Sequence, residues 1–380
     1  MAMYLSSKLA LPGFSGRNVR HARGRHNATP SVTTGTARVV SVRAAAAPVV
    51  DSLTTELDQL GGMSVICVDS GDLTAVRSIG SVDSTTNPLF VSQAAQREDP
   101  QYVQFVAEAV SYARERSART GEDRIELAID RLTVNLGREI TTIVPGVVSS
   151  EVDPRLSFDE DATVRRGKRI IEMYEESGVS RERILIKVAG TWEGCLAAER
   201  LEAEGIRTNI TLVFSFAQAV AAAQRGAFLI SPFVGRLLDW HKKAEGVDGY
   251  GRFEDPGVVF VTRVYRYFKR YGHDTVVMPA SWRNCEEIRG LAGVDRMTVG
   301  PALLEEMKES QARLERVLEP VSAAKACEEE EVDRMEGKDF HWMHTQDACA
   351  VEKLAEGIRA FSADTDKLEA ILRSHPGWAA

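Results

Sequence analysis

The sequence predicts an α/β chain closed into a (β/α)8 (TIM) barrel, with extra helices at its C-terminal end. Three observations predict it. Eight short apolar runs recur between residues 64 and 302. Most are separated by amphipathic stretches, and strands that alternate with helices pair in parallel. The runs are also apolar on both faces, as strands sandwiched between a barrel interior and a helix layer are. Eight such units in about 240 residues suit a barrel of this kind. A doubly wound open sheet is the structural rival. No G-x-G-x-x-G or G-x-x-x-x-G-K follows any run, so nothing supports its nucleotide-binding form.

Active sites of such barrels sit at the C-terminal ends of the strands, so each run is read at that end. The first, "SVICVDS" (64–70), offers Asp69 and, just beyond it, Asp72. The second, "IGSVDSTTN" (79–87), offers Thr85, Thr86 and Asn87. The third, "TTIVPGVVSSEVD" (141–153), ends in Ser149, Ser150, Glu151 and Asp153. The fourth, "RILIKVAG" (183–190), contains Lys187. The fifth, "TNITLVFS" (208–215), supplies Asn209, Thr211 and Ser215. The sixth, "AFLISPFVG" (227–235), supplies Ser231, with Arg236 just after it. The seventh, "DTVVMPAS" (274–281), leads to Ser281 and Arg283. The eighth, "DRMTVGPA" (295–302), contributes no candidate. The helical stretches 162–178 and 191–205 each end in Gly, a normal helix stop. After a charged connection at 328–339, expected to be exposed, residues 345–375 read as two helices with no following strand. They form an extension, from about residue 320, that packs across the barrel.

An Asp or Ser at a strand end is ordinarily a helix cap or a turn residue. Lys187 is different, because Lys is rarely buried unless it is paired or used. Alternation puts Lys187 on one face with Leu185 and Ala189, while Ile184, Ile186 and Val188 face the helices. The amine therefore points into the barrel near its mouth. One reading is a lysine paired with a buried carboxylate. The other is a nucleophile, since a buried lysine of lowered pKa attacks carbonyls to form a Schiff base. That chemistry needs proton transfer, for which Asp69 and Glu151 are the candidates. Asn and Ser groups suit the hydroxyls of a polyol, and Arg236 with Arg283 could clamp a phosphate. The residues thus describe a Schiff-base lyase or transferase acting on a phosphorylated sugar.

Composition bounds the rest. The chain of 380 residues is 44% hydrophobic and 27% charged, with a net charge of −8, which does not suggest binding to nucleic acid or an anionic membrane. There is no run of 18 apolar residues to cross a bilayer. Five scattered cysteines without a C-x-x-C pair argue against a disulfide framework or a zinc site. Residues 1–50 hold seven Lys or Arg and no acid, and are rich in Ser, Thr and Ala. That is the composition of an organelle transit segment. The expectation is a targeting segment over 1–48 and one barrel domain over 49–380, in the chloroplast stroma, with mitochondrion or cytoplasm as alternatives. A basic tail or nucleic-acid arm is the other reading of the segment.

The stretches "VICVDSGD" (65–72), "DSTTNP" (83–88), "SSEVDPRLSFD" (149–159), "RILIKVAGTWEG" (183–194), "NITLVFSFAQA" (209–219), "LISPFVGRLLDW" (229–240) and "ASWRN" (280–284) together resemble the transaldolase family, collinearly from about residue 53 to 373. The resemblance implies a barrel of the class I aldolase type. It implies transfer of a dihydroxyacetone unit from sedoheptulose 7-phosphate to glyceraldehyde 3-phosphate in the pentose phosphate pathway, with no cofactor or metal. It places the Schiff-base lysine on Lys187 and proton transfer on Asp69. Glu151 falls on a glutamate that works with a bound water near Thr211. Asn87, Asn209 and Ser231 fall on groups that hold the dihydroxyacetone moiety. Arg236, Ser281 and Arg283 fall on the phosphate site, and Thr85 and Phe233 line the pocket. Sugar phosphates are then the partners, without nucleic acid or membrane, and a homodimer is left open. Trp282 stands where the resemblance leads one to expect Phe, and Pro279 where one expects Gly. Two rivals remain: a fructose 6-phosphate aldolase-like lyase, against which Glu151 argues, and a non-catalytic sugar-phosphate-binding barrel. The pair His341 and His344 has no third ligand nearby and reads as a structural or surface feature.

Overall fold

The computed structural model describes residues 54–379. The targeting segment expected at the N-terminus lies outside the described residues. Eight parallel strands form the sheet: β1 (Val65–Asp69), β2 (Asp83–Thr85), β3 (Val148–Glu151), β4 (Ile184–Ala189), β5 (Thr208–Val213), β6 (Leu229–Pro232), β7 (Val276–Val277) and β8 (Arg296–Val299). Their order is β7-β6-β5-β4-β3-β2-β1-β8, each strand beside its sequence neighbour. The remaining seam is bridged where the Thr298 N–H donates to the Pro279 carbonyl at 3.1 Å. This is a (β/α)8 barrel, as the eight runs predict.

Sequence alternation separates a helix-layer core from the clusters inside and above the barrel. Ile184, Ile186 and Val188 join the large cluster between strands and helices. The barrel interior holds a floor of Cys67, Leu185, Leu229 and Met278. Above the mouth a third cluster includes Ala189, Leu212, Phe214, Phe233, Ile358 and Phe361. Between floor and lid lies the polar layer, so Lys187 and its neighbours are enclosed in apolar surface from below and above. In water-poor surroundings of this kind charges and hydrogen bonds act strongly on one another.

The helices start and stop where local chemistry says they should. Asp159 caps Glu160–Glu176 through the Ala162 N–H, and Thr191 caps Trp192–Ala203 through the Gly194 N–H. Gly178 and Gly205, just after these helices, sit in the left-handed region that favours glycine (φ 81° and 76°).

The C-terminal region differs from expectation in two ways. Residues 345–375 hold one uninterrupted helix, Ala348–Arg373, rather than two. Its polar Ser362 and Thr365 do not break it, because their hydroxyls donate back to the Ile358 and Phe361 carbonyls. The charged connection is also not wholly solvated: Met335 is buried, and Gln224 holds the backbone of Val332, Asp333 and Met335. The long helix lies against strand β5 and the helices Pro88–Ala95, Arg124–Thr141 and Val234–Glu245. Arg155 pins it by ion pairs to Asp366 and Glu369. The approach is close at Gly357, where a Cβ would lie 2.7 Å from the Leu212 side chain. Leu212 itself has φ 56° at a break in the β5–β6 register, an unusual conformation for a non-glycine residue.

Candidate active site

Lys187 lies in the middle of the polar layer, buried, with its Nζ donating to the Thr86 carbonyl at 3.2 Å. Its Nζ is 3.3 Å from Glu151 Oε2. Both readings of this lysine therefore hold in the geometry: it is paired with a buried carboxylate, and it sits at the catalytic end of its strand. Burial pushes the Glu151 carboxyl up to about 7, with the Asp69 charge adding to the rise and Lys187 opposing it. Burial likewise raises Asp69, against the pull of Lys187 and of a hydrogen bond from Thr85. Two carboxylates of raised pKa thus face one amine, an arrangement suited to proton exchange near neutral pH.

Thr85 donates to Asp69 Oδ1 at 2.8 Å and lies 2.5 Å from the Thr298 hydroxyl. Asn209 bridges strands: its amide donates to Ser149 at 3.1 Å, and its carbonyl accepts from Ser231 at 2.8 Å. Thr211 presents a fully buried hydroxyl that has no protein partner among the described residues. Asn87 has a structural task as well, since its Oδ1 caps the helix Pro88–Ala95 through the Phe90 N–H at 3.1 Å. The cap commits its oxygen and leaves its amide NH2 for a ligand.

Toward the rim, Arg236 is wedged between the rings of Phe233 and Phe361, at 5.0 and 5.8 Å from their centroids. It makes no ion pair among the described residues. Burial pulls its guanidinium down from its ordinary value, and the neighbouring Arg283 charge adds to this. Arg283 is held by Asp239 at 2.7 Å. Ser281 occupies the left-handed region (φ 61°), and its carbonyl accepts the Gly235 N–H at 2.9 Å. Gly235 is required there, because a Cβ would come within 2.5 Å of that carbonyl oxygen. Two cationic side chains stand here with one ion-paired carboxylate, Asp239, an arrangement suited to receiving an anion.

The residues that the resemblance selects lie in this layer or on its rim, whereas Ser150 bonds the Tyr174 hydroxyl in the helix layer and Ser215 caps the helix Phe216–Gln224. Two others selected as strand-end acids are structural: Asp72 caps a helix and pairs with Arg97, and Asp153 pairs with Arg155. Sequence reasoning missed Thr298, Phe361 and Asp239. Thr298 had a signal, a hydroxyl residue amid Met297 and Val299 in the eighth run. Roomier clefts lie elsewhere, one of about 630 Å3 among paired charges such as Arg169 and Glu126, another of about 510 Å3 beside Tyr267 and His273. A recess of about 20 Å3 touches Asn87 and Glu151. Convergent chemistry, not size, marks the site. No group of three or more metal-ligating side chains occurs among the described residues, and His344 instead stacks on Phe340 and contacts Ser215.

The family model described as Transaldolase/Fructose-6-phosphate aldolase matches residues 66–372. "Transaldolase A" of Pasteurella multocida is 48% identical over 320 residues, covering 84% of this chain and 99% of its own length. A "Transaldolase" of Haemophilus influenzae (strain Rd) is 49% identical with the same coverage. One from Alteromonas mediterranea is 48% identical over 321 residues, covering 84% of this chain and 98% of its own. With a matched region that runs from within β1 through β8, the chain belongs to the transaldolase/fructose-6-phosphate aldolase family.

Proposed function

We propose that this protein is a transaldolase, moving a dihydroxyacetone unit from sedoheptulose 7-phosphate to glyceraldehyde 3-phosphate as a step of the pentose phosphate pathway. The observation that carries the reading is Lys187 held 3.3 Å from Glu151 inside the barrel mouth, opposite Asp69. The amine must be neutral to attack, and Glu151 is the nearest base to take its proton. Lys187 attacks the C2 ketone, and the carbinolamine loses water to give an imine. Asp69 takes the C4 hydroxyl proton and the C3–C4 bond breaks, releasing erythrose 4-phosphate. The electron pair enters the imine, so the mechanism calls for no metal or organic cofactor. The enamine stays on Lys187, held through Asn87, Asn209 and Ser231, until the acceptor aldehyde arrives. Thr211, with its unpartnered buried hydroxyl, suits the water that Glu151 steers in imine formation and hydrolysis. Arg236, Ser281 and Arg283 receive the phosphate.

Assay with and without an acceptor aldehyde separates this from a lyase. Transfer to glyceraldehyde 3-phosphate, with little free dihydroxyacetone in its absence, supports the proposal; rapid release of dihydroxyacetone without acceptor contradicts it. The acid-free leader supports a plastid address. A mature N-terminus near residues 44–50 would agree, and one at residues 1–3 would not.

A further inference from the structure

Thr298, on the last strand, has every polar group engaged, and two of them reach the site. Its N–H bridges the barrel seam to Pro279. Its carbonyl accepts the Trp282 indole N–H at 2.7 Å. Its hydroxyl lies 2.5 Å from that of Thr85, which donates to Asp69 Oδ1 at 2.8 Å. A threonine hydroxyl has one proton. Since Thr85 gives its proton to Asp69, Thr298 is the donor to Thr85. The chain Thr298 to Thr85 to Asp69 points at the carboxylate, and linked buried bonds of this kind polarise one another. Thr298 and Thr85 are 3% and 2% exposed, so water does not compete.

The carbonyl end matters equally. A phenylalanine at 282 would fill the same space but has no N–H to offer. Trp282 lies between Ser281, in its left-handed conformation, and Arg283, whose N–H donates to Glu287 at 2.6 Å. A non-glycine residue keeps such a conformation only where its surroundings hold it.

We infer that Thr298 is a positioning residue that holds the carboxylate Asp69 and the phosphate loop 280–284 in one register, so that the sugar is gripped at the distance at which its C4 hydroxyl meets the base. This rests on the Schiff-base reading of the site. Thr298 touches no reacting atom and acts through Thr85 and Trp282. The charges facing Asp69 are Lys187 from β4 and Glu151 from β3, with the Cys67 thiol on its own strand.

The test compares Thr298→Val, Thr298→Ser and Trp282→Phe with wild type in transfer from fructose 6-phosphate to erythrose 4-phosphate, alongside borohydride trapping on Lys187. Thr298→Val keeps the shape and removes the hydroxyl; its kcat is expected to fall about tenfold, the scale of one buried hydrogen bond to a charged chain. Its KM stays close to wild type. The acid limb of its pH profile moves to higher pH, because an Asp69 carboxylate with less hydrogen-bond support holds its proton longer. Thr298→Ser restores both. Trp282→Phe raises KM severalfold and leaves the pH profile alone. Wild-type kcat and pH profile in Thr298→Val overturn the inference, as does an equal loss in Thr298→Ser, which would mean packing alone. Should Val distort the strand, Thr298→Ala reads the same hydroxyl. An adduct on Lys187 in wild type and Thr298→Val alike, with no kinetic difference, defeats this inference only. No adduct in wild type defeats the Schiff-base reading and this inference with it.

Discussion

Lys187 and Glu151 are register partners on adjacent parallel strands, and their side chains meet at 3.3 Å inside the barrel. The pairing places an acid that titrates at about 7 against the amine that would form an imine. A group titrating near the working pH is suited to both giving and taking a proton.

Glu151→Gln should therefore lower kcat by about 100-fold or more, the usual range for losing one acid–base group. The sign with pH follows from the raised value. Below about 7 Glu151 is protonated, and above it the carboxylate is the base, so wild-type kcat/KM should rise through that region from the acid side. The variant should lose the step near 7 and keep the part of the acid limb that Asp69 sets. A pH–rate profile from 5.5 to 9 checks it; an unchanged limb would assign the titration to another group.

Arg236 is held by two aromatic rings rather than by a carboxylate, which leaves its N–H donors for an incoming anion. Arg236→Ala should raise KM for phosphorylated sugars by about 10- to 100-fold, the scale of one or two charge-assisted hydrogen bonds. Turnover of an unphosphorylated ketose should change little. Equal losses on both substrates would show that Arg236 supports the lid rather than the phosphate.

Glu287 offers a stability test beneath the phosphate loop. It is buried, one oxygen accepts the Arg283 N–H, and the other has no partner among the described residues. Burial raises it from 4.5 to about 7, with the Asp255 charge adding to the rise. Folding thus disfavours the ionised form. The penalty is absent below about 4.5, grows as pH rises, and is complete above about 7. Glu287→Gln keeps an acceptor and removes the charge. Its Tm should exceed wild type by about 2 °C at pH 8 and match it near pH 4.5. The same difference at both pH values in thermal unfolding would contradict the linkage.

The strands were legible because each is a compact apolar run, and the inward aim of Lys187 followed from the two-residue period. Leu185 and Ala189 lie in interior clusters, and Ile184, Ile186 and Val188 in the helix layer. The chemistry at seven strand ends was legible for the same reason. Thr298 was not: threonine is common in strands, and its partner Thr85 is 213 residues away in sequence. Nor was the single long C-terminal helix, since the back-bonded hydroxyls of Ser362 and Thr365 look like breakers until their i−4 carbonyls are seen. The left-handed Leu212 carries no sequence mark at all: it sits at the break in the β5–β6 register, with Gly357 of a distant helix close against its side chain.

The central claim is that the Lys187 amine is the nucleophile. Incubation with fructose 6-phosphate, reduction with borohydride and peptide mass analysis test it directly. A dihydroxyacetone-derived adduct is expected on the peptide containing Lys187, and neither adduct nor transfer in Lys187→Met. An unmodified Lys187 peptide from active protein, or a Lys187→Met variant that still transfers, would contradict it.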